Sequence, residues 1–197
     1  MTKKFVFIFA IICIIVFFIF YYISGEFGNN KFRKQNEFVE DIFEKLEKYE
    51  ANIDVIIKSN KNENIYNMIQ IVDKDYSKLI LNSPESINGL VLEINKDVLR
   101  ISNRNIEMEK IFEKYKASND NLLFLNTFIK EFNNNKSTIY EENGEILIEL
   151  LLNNDNTYIK SKVLYLDKET KLPKRLIIKD NAQNINTSII YNDIKIK

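Results

Sequence analysis

Pairs of neighbouring carboxylates, for example Glu40/Asp41, Asp73/Asp75, Glu107/Glu109 and Glu141/Glu142, come nearest to a catalytic set in residue type and spacing. Glycoside hydrolysis needs two such groups across a cleft, one as acid and one as base or nucleophile. Most of these sit beside lysines, and long charged side chains are rarely buried unpaired, so their expected place is solvated surface. Ser59 and Ser83, the latter in a Ser83-Pro84 step, are candidate nucleophiles, but the chain has no histidine, so either would need a lysine as its base. The same absence excludes Ser-His-Asp and Cys-His catalysis, His-ligated zinc and an imidazole switch near neutral pH. A single cysteine, Cys13, excludes an intrachain disulfide, a Cys-x-x-Cys redox pair and a thiolate cluster. The four glycines are Gly25, Gly28, Gly89 and Gly144, and their spacing cannot build a phosphate-cradling G-x-G-x-x-G loop. The expectation is a non-enzyme with no catalytic residue, cofactor or metal. No motif singles out partner- or ligand-binding residues.

The charge balance narrows the class of partner. Lys+Arg 28 equals Asp+Glu 28, and setting aside Lys3 and Lys4 leaves 26 against 28, a near-neutral, weakly acidic remainder. Nucleic-acid binding draws most of its affinity from neutralising phosphates and needs a basic stripe, so that class is set aside. A length of 197 residues allows one domain of ordinary size with a core of its own.

Residues 5–23 read FVFIFAIICIIVFFIFYYI, without a charge. At 1.5 Å per residue such a helix is roughly 28 Å long, about the thickness of the hydrocarbon core. Lys3 and Lys4 precede it, so the positive-inside rule predicts a single-pass protein of the cell membrane with a cytoplasmic N-terminus. The competing reading, a cleaved signal peptide, has a shorter apolar stretch and a small-x-small site, whereas Tyr22 and Ile23 precede Ser24-Gly25 here. A lipidated Cys13 would need a small residue before it and a polar chain after it, and Ile12 and Ile14 flank it instead. The expected organisation is an anchor over 1–24, a tether over 25–35 and an extracytoplasmic domain over 36–197.

Within that domain the hydrophobic period alternates between two values. Asn36 caps a predicted helix over Glu37–Glu50, with Phe38, Ile42, Leu46 and Tyr49 on one face and Val39 and Phe43 beside them. The period then drops to two, predicting strands over Ile53–Lys58, Ile65–Val72 and Lys78–Asn82, and a hairpin of Leu90–Ile94 with Val98–Ile101 after the Asn88-Gly89 turn. Ile106–Tyr115 reads as a short helix. A further helix, capped at Asn119 or Asp120, carries Leu122, Leu125, Ile129 and Phe132 with Phe128 adjacent. Strands return at Thr138–Glu142 and Glu145–Leu152 around Asn143-Gly144, then at Thr157–Leu166, Lys174–Lys179 and Thr187–Ile196. About ten strands joined by short polar turns imply a meandering antiparallel sheet with its apolar face covered by the helices. The predicted class is α+β: a curved antiparallel sheet forming a half-open β-barrel, two or three helices on its concave face, and one transmembrane helix before it.

The runs KLILNSPESINGLVLEINKDVLRISN (Lys78–Asn103) and LYLDKETKLPKRLIIKDNAQNINTSIIYNDIKI (Leu164–Ile196) resemble the GerS-type spore-germination lipoproteins of clostridia, which are similar in fold to the lipoprotein carriers LolA and LolB. The turn Leu166–Pro173, LDKETKLP, is the most specific piece of the match, which runs from about Asn36 to the C-terminus. The resemblance implies a half-open barrel with helices in its concavity. It also implies a non-catalytic role in sporulation and germination, binding and supporting a cell-wall amidase that prepares spore-cortex peptidoglycan. The chain departs from GerS at the anchor, where Cys13 lies inside the apolar run.

Two kinds of binding follow as expectations. One is a protein partner, with Ile56, Ile189 and Tyr191 read as outward-facing and available for a patch or a sheet edge. The other is a lipid or lipid-linked ligand held between sheet and helices, for which Phe38, Phe43, Phe128 and Phe132 would line a cavity; apolar stripes are usually packed, so the expected role of these aromatics is to fill it as core.

Overall fold

The structure, a computed structural model, describes residues 38–59, 61–115, 123–152 and 158–197. The anchor over residues 5–23, Cys13, the tether, the Asn36 cap, Leu122 and the Asn119 or Asp120 cap lie outside the described residues. Among the described residues no helix is long and apolar enough to cross a membrane.

The chain divides into two compact units, Met1–Ile42 and Phe43–Lys197. In the first, residues 38–42 are helical, with Val39 and Ile42 buried and Glu40 and Asp41 exposed. That spacing is the amphipathic stripe the sequence predicts.

The second unit is built on one curved, unclosed sheet of eleven antiparallel strands. They are β1 (Lys48–Lys58), β2 (Glu63–Asp73), β3 (Tyr76–Ser83), β4 (Leu90–Asn95), β5 (Val98–Asn103), β6 (Met108–Phe112), β7 (Lys136–Glu142), β8 (Glu145–Leu151), β9 (Ile159–Asp167), β10 (Pro173–Asp180) and β11 (Ile185–Ile196). Their order is β6-β5-β4-β3-β2-β1-β11-β10-β9-β8-β7. Two meanders therefore meet where β1 pairs with β11, and the outermost strands among the described residues, β6 and β7, come from mid-chain. Short turns set each register: Asn143 and Gly144, both at positive φ, close the β7–β8 hairpin as a two-residue turn.

The helices are α1 (38–45) and α2 (Leu125–Phe132). Leu125, Phe128 and Phe132 of α2 are buried at helical spacing on the sheet face formed by Tyr49, Ile53, Val55, Leu164 and Leu176. Phe43 meets Phe128 and Phe132 edge-on, at centroid distances of 6.2 and 5.1 Å.

Three expectations are corrected. The first helix stops at residue 45, not Glu50: amide bonds from Leu46 to Phe43 and Glu47 to Glu44 tighten its end, and Lys48–Glu50 enter β1. Tyr49 fits both the helical stripe and the alternation Tyr49/Ala51/Ile53/Val55, and cross-strand pairing to Val72 and Ile196 selects the strand. Ile106–Tyr115 is not helical but contains β6, after a 3-10 turn at Arg104–Ile106. Its apolar residues Met108, Ile111 and Phe112 have helical i, i+3, i+4 spacing, and pairing with β5 overrides it. Finally, Ile189 and Tyr191 point into the core, while Ile190 is exposed. A bulge opposite Asn52/Ile53 leaves Asn192 unpaired and shifts the phase of β11 by one residue.

Candidate functional site

The carboxylate pairs singled out from the sequence are scattered over separate elements and do not converge on one another. Glu40 and Asp41 are exposed on α1, Asp73 pairs with Lys48 at 2.7 Å, and Glu141 pairs with Lys168 at 2.6 Å. Among the described residues no group of three or more His, Cys, Asp or Glu could hold a metal ion. The Ser59 hydroxyl donates to the Asn62 carbonyl, and the Ser83 hydroxyl accepts from the Asn67 amide, so both serines serve local backbone structure. Of these pairs, Glu107 and Glu109 line a groove together with Lys78, Glu93 and Arg100.

On the helix-bearing face, packing is supplemented by polar bonds. The Tyr49 hydroxyl donates to Gln70 Oε1 and accepts from the Leu125 amide at 3.4 Å, while Gln70 Nε2 donates to the Leu123 carbonyl at 2.9 Å. Asn126 Nδ2 donates to Ser77 Oγ at 3.3 Å, and Lys162 Nζ meets Glu131 at 2.5 Å. These bonds satisfy polar groups whose burial alone would be costly. Burial pushes the Tyr49 phenol well above its ordinary value, only partly offset by the Leu125 amide. The neighbouring Tyr191 phenol is raised by burial and by Tyr49, and its hydroxyl has no hydrogen-bond partner among the described residues. Desolvation lowers Lys162, against the bond and charge of Glu131. Of the aromatics proposed from sequence, Phe43, Phe128 and Phe132 pack as core, whereas Phe38 is 41% exposed.

The opposite face carries a groove of about 710 Å³ across β3 to β6. Lys78, Glu93 and Arg100 stand directly across from one another on three adjacent strands, and Glu109 neighbours them on β6. Glu93 accepts from Lys78 at 2.8 Å and from the Tyr76 hydroxyl at 3.0 Å, with Arg100 at 3.8 Å and Arg100 also bonded to Glu109. The Lys78 bond holds Glu93 below the ordinary carboxylate range, outweighing its desolvation, with Tyr76 and Arg100 adding to the effect. Tyr76 is raised by burial first and then by Glu93. One wall is polar backbone and amide: Asn103 and Asn105 both donate to the Asn88 carbonyl at 3.2 Å, beside Gly89. The arrangement can bind a charged, extended ligand. The sequence reading missed it because β6 supplies its rim, and the helical spacing of Met108, Ile111 and Phe112 masked the strand.

Comparison with known proteins agrees with this architecture. No curated protein matches the chain. Among solved structures, the chain is similar to the GerS lipoprotein of Clostridioides difficile in its complex with the CwlD amidase, with a TM-score of 0.54, 22% identity, and 84% of this chain and 95% of that chain covered. It is also similar to an uncharacterized conserved protein of Thermus thermophilus, with a TM-score of 0.51, 10% identity, and 81% and 87% covered. At these identities the likeness is one of fold. The family described as sporulation protein YdcC-like matches residues 3–197, nearly the whole sequence. The chain belongs to the YdcC-like family of sporulation proteins.

Proposed function

We propose that the chain is a non-catalytic accessory protein of sporulation, held at the membrane by residues 5–23, with the domain over 36–197 outside the cytoplasm, where it binds and supports a cell-wall amidase. The observation that carries this reading is membership of a sporulation family combined with a fold shared with GerS, over 95% of the GerS chain, which was solved bound to an amidase. The absence of histidine and the dispersal of the carboxylate pairs are consistent with a role in binding.

The test is affinity capture of the tagged full chain from crosslinked, sporulating cells of its own organism, with proteins and lipids in the eluate identified by mass spectrometry. A stoichiometric cell-wall amidase is the expected result. Recovery of no envelope protein would overturn the reading.

A second reading, a carrier or sensor of a lipid or lipid-linked ligand, draws on the Tyr191 hydroxyl, which is buried on the helix-bearing face without a partner among the described residues and could receive a ligand's polar group. Co-purifying lipid without protein would favour it. The mutual packing of Phe43, Phe128 and Phe132 favours the partner reading instead.

A further inference from the structure

The free edge at β6 and the groove beside it form one continuous surface. Among the described residues β6 pairs with β5 alone, so its outer row of amide and carbonyl groups has no strand against it. All five of its residues are exposed, including Met108 at 38%, Ile111 at 56% and Phe112 at 37%, with Ile106 at 67% just before them. Sheet edges are normally blunted by charge or cover. The other edge is more polar: β7 exposes Lys136, Thr138, Glu141 and Glu142 with a single large apolar side chain, Tyr140 at 39%. Among the described residues the β6 edge leaves Ile111 open on the groove face and Met108 on the other, where Lys110 lies over the Phe112 ring at 5.0 Å.

The groove gives this edge a charge preference. Glu93, Glu107 and Glu109 line it against Lys78 and Arg100, and both cations are already committed, Lys78 to Glu93 and Arg100 to Glu109 and Glu93. Glu107 stands exposed immediately before β6 and makes no ion pair among the described residues. A strand added outside β6 would place alternate side chains over the groove face beside Glu109, while its backbone met the free row of β6.

We propose that β6 is a docking edge for an extended segment of a protein partner carrying a lysine or arginine between apolar residues, the basic side chain lying over the groove against Glu107 and Glu109. This rests on the reading that the protein acts through a protein partner, and it specifies where and by what chemistry. A second copy of the chain is the poorer occupant: antiparallel self-pairing in the register that matches all five residues sets Lys110 opposite Lys110, and like charges directly opposed destabilise a strand pair.

The full chain, purified in detergent, is titrated with two fluorescent peptides of about ten residues, one alternating valine with lysine and the other valine with glutamate. Hydrogen exchange is read by mass spectrometry on the same samples. The lysine peptide is expected to bind about five-fold more tightly than the glutamate peptide and to protect residues 108–112. Glu107→Lys removes that preference, and Ile111→Lys weakens binding of the lysine peptide; both positions are exposed, and an unchanged thermal midpoint checks that the variants fold. Equal binding of the two peptides, protection confined to other strands, or a preference that survives Glu107→Lys would overturn the proposal. Capture of an amidase equally by wild type and by both variants would also overturn the docking edge while leaving the partner reading intact. Lysine-selective protection of β6 with no protein captured from cells would do the reverse.

Discussion

Lys162 on β9 and Glu131 on α2 form an ion pair at 2.5 Å in which the lysine side chain is 1% exposed and the carboxylate 12%. Removing one member of a buried pair strands the other, so Glu131 without its cation is expected to destabilise the fold by about 3 kcal/mol. Lys162→Met should show that loss in urea unfolding, and adding Glu131→Leu should recover all but about 1 kcal/mol. The pH dependence has a definite sign. Because desolvation lowers the folded pKa of Lys162 below 10.5, the unfolded chain holds a proton that the folded chain has released in the window just under 10.5. The desolvation cost is therefore present in full below the folded pKa and is relieved as pH rises towards the unfolded one. Wild type should gain stability relative to Lys162→Met across that window; a flat difference would refute the assignment.

Acid should unfold the protein through its turns and the groove. Asp167 accepts from the Glu169 and Thr170 amides, the Thr170 hydroxyl and Lys174, and these bonds, the Thr170 amide first, hold it far below the ordinary carboxylate range. The Asn184 amide lowers Asp180 and Lys78 lowers Glu93. Each folded pKa is depressed, so each contribution is present above the unfolded value of roughly 4 and is lost as pH falls through the folded one. The thermal midpoint should drop steeply below about pH 4, and Asp167→Asn should flatten the slope. An undiminished slope in that variant would exclude Asp167 as a main contributor.

The two glycines of the described sheet should respond unequally to alanine. Gly89 has φ +80 and a Cβ there would lie 2.6 Å from Asn105 Nδ2, whereas Gly144 has φ +76 with open space around it. Gly144→Ala should cost about 1 kcal/mol from backbone strain alone. Gly89→Ala should cost about 1 to 2 kcal/mol, the excess coming from the bond to the Asn88 carbonyl that the Asn105 amide gives up as it moves. Reversal of that order in denaturant midpoints would contradict the described groove.

Phe128 is fully buried, with its ring against Phe43. If the aromatics are core, Phe128→Ala should cost about 3 to 5 kcal/mol with little change in urea m-value. A loss below about 1 kcal/mol would indicate a void already present under α2 and would move the functional reading towards the carrier.

The sequence by itself closed off several catalytic chemistries and marked most of the elements. Without histidine and with one cysteine, whole branches of catalysis were closed by atomic composition. Local signals also sufficed where one period dominated: Asn143-Gly144 marked its hairpin, Leu125/Phe128/Phe132 marked the buried stripe of α2, and alternation marked most strands. Tertiary structure decided the segments where two periods fit equally well. Tyr49 satisfies a helical stripe and a strand, and only pairing with Val72 and Ile196 chooses between them. Met108, Ile111 and Phe112 have helical spacing, yet β5 offers a ladder that an isolated short helix cannot match. The phase of Ile189 and Tyr191 depends on a bulge, and a single inserted residue reverses every side chain beyond it. The groove has the same origin. Lys78, Glu93, Arg100 and Glu109 lie on four strands, and their meeting depends on registers set by hydrogen-bonded pairing between segments, which no local pattern of residues contains.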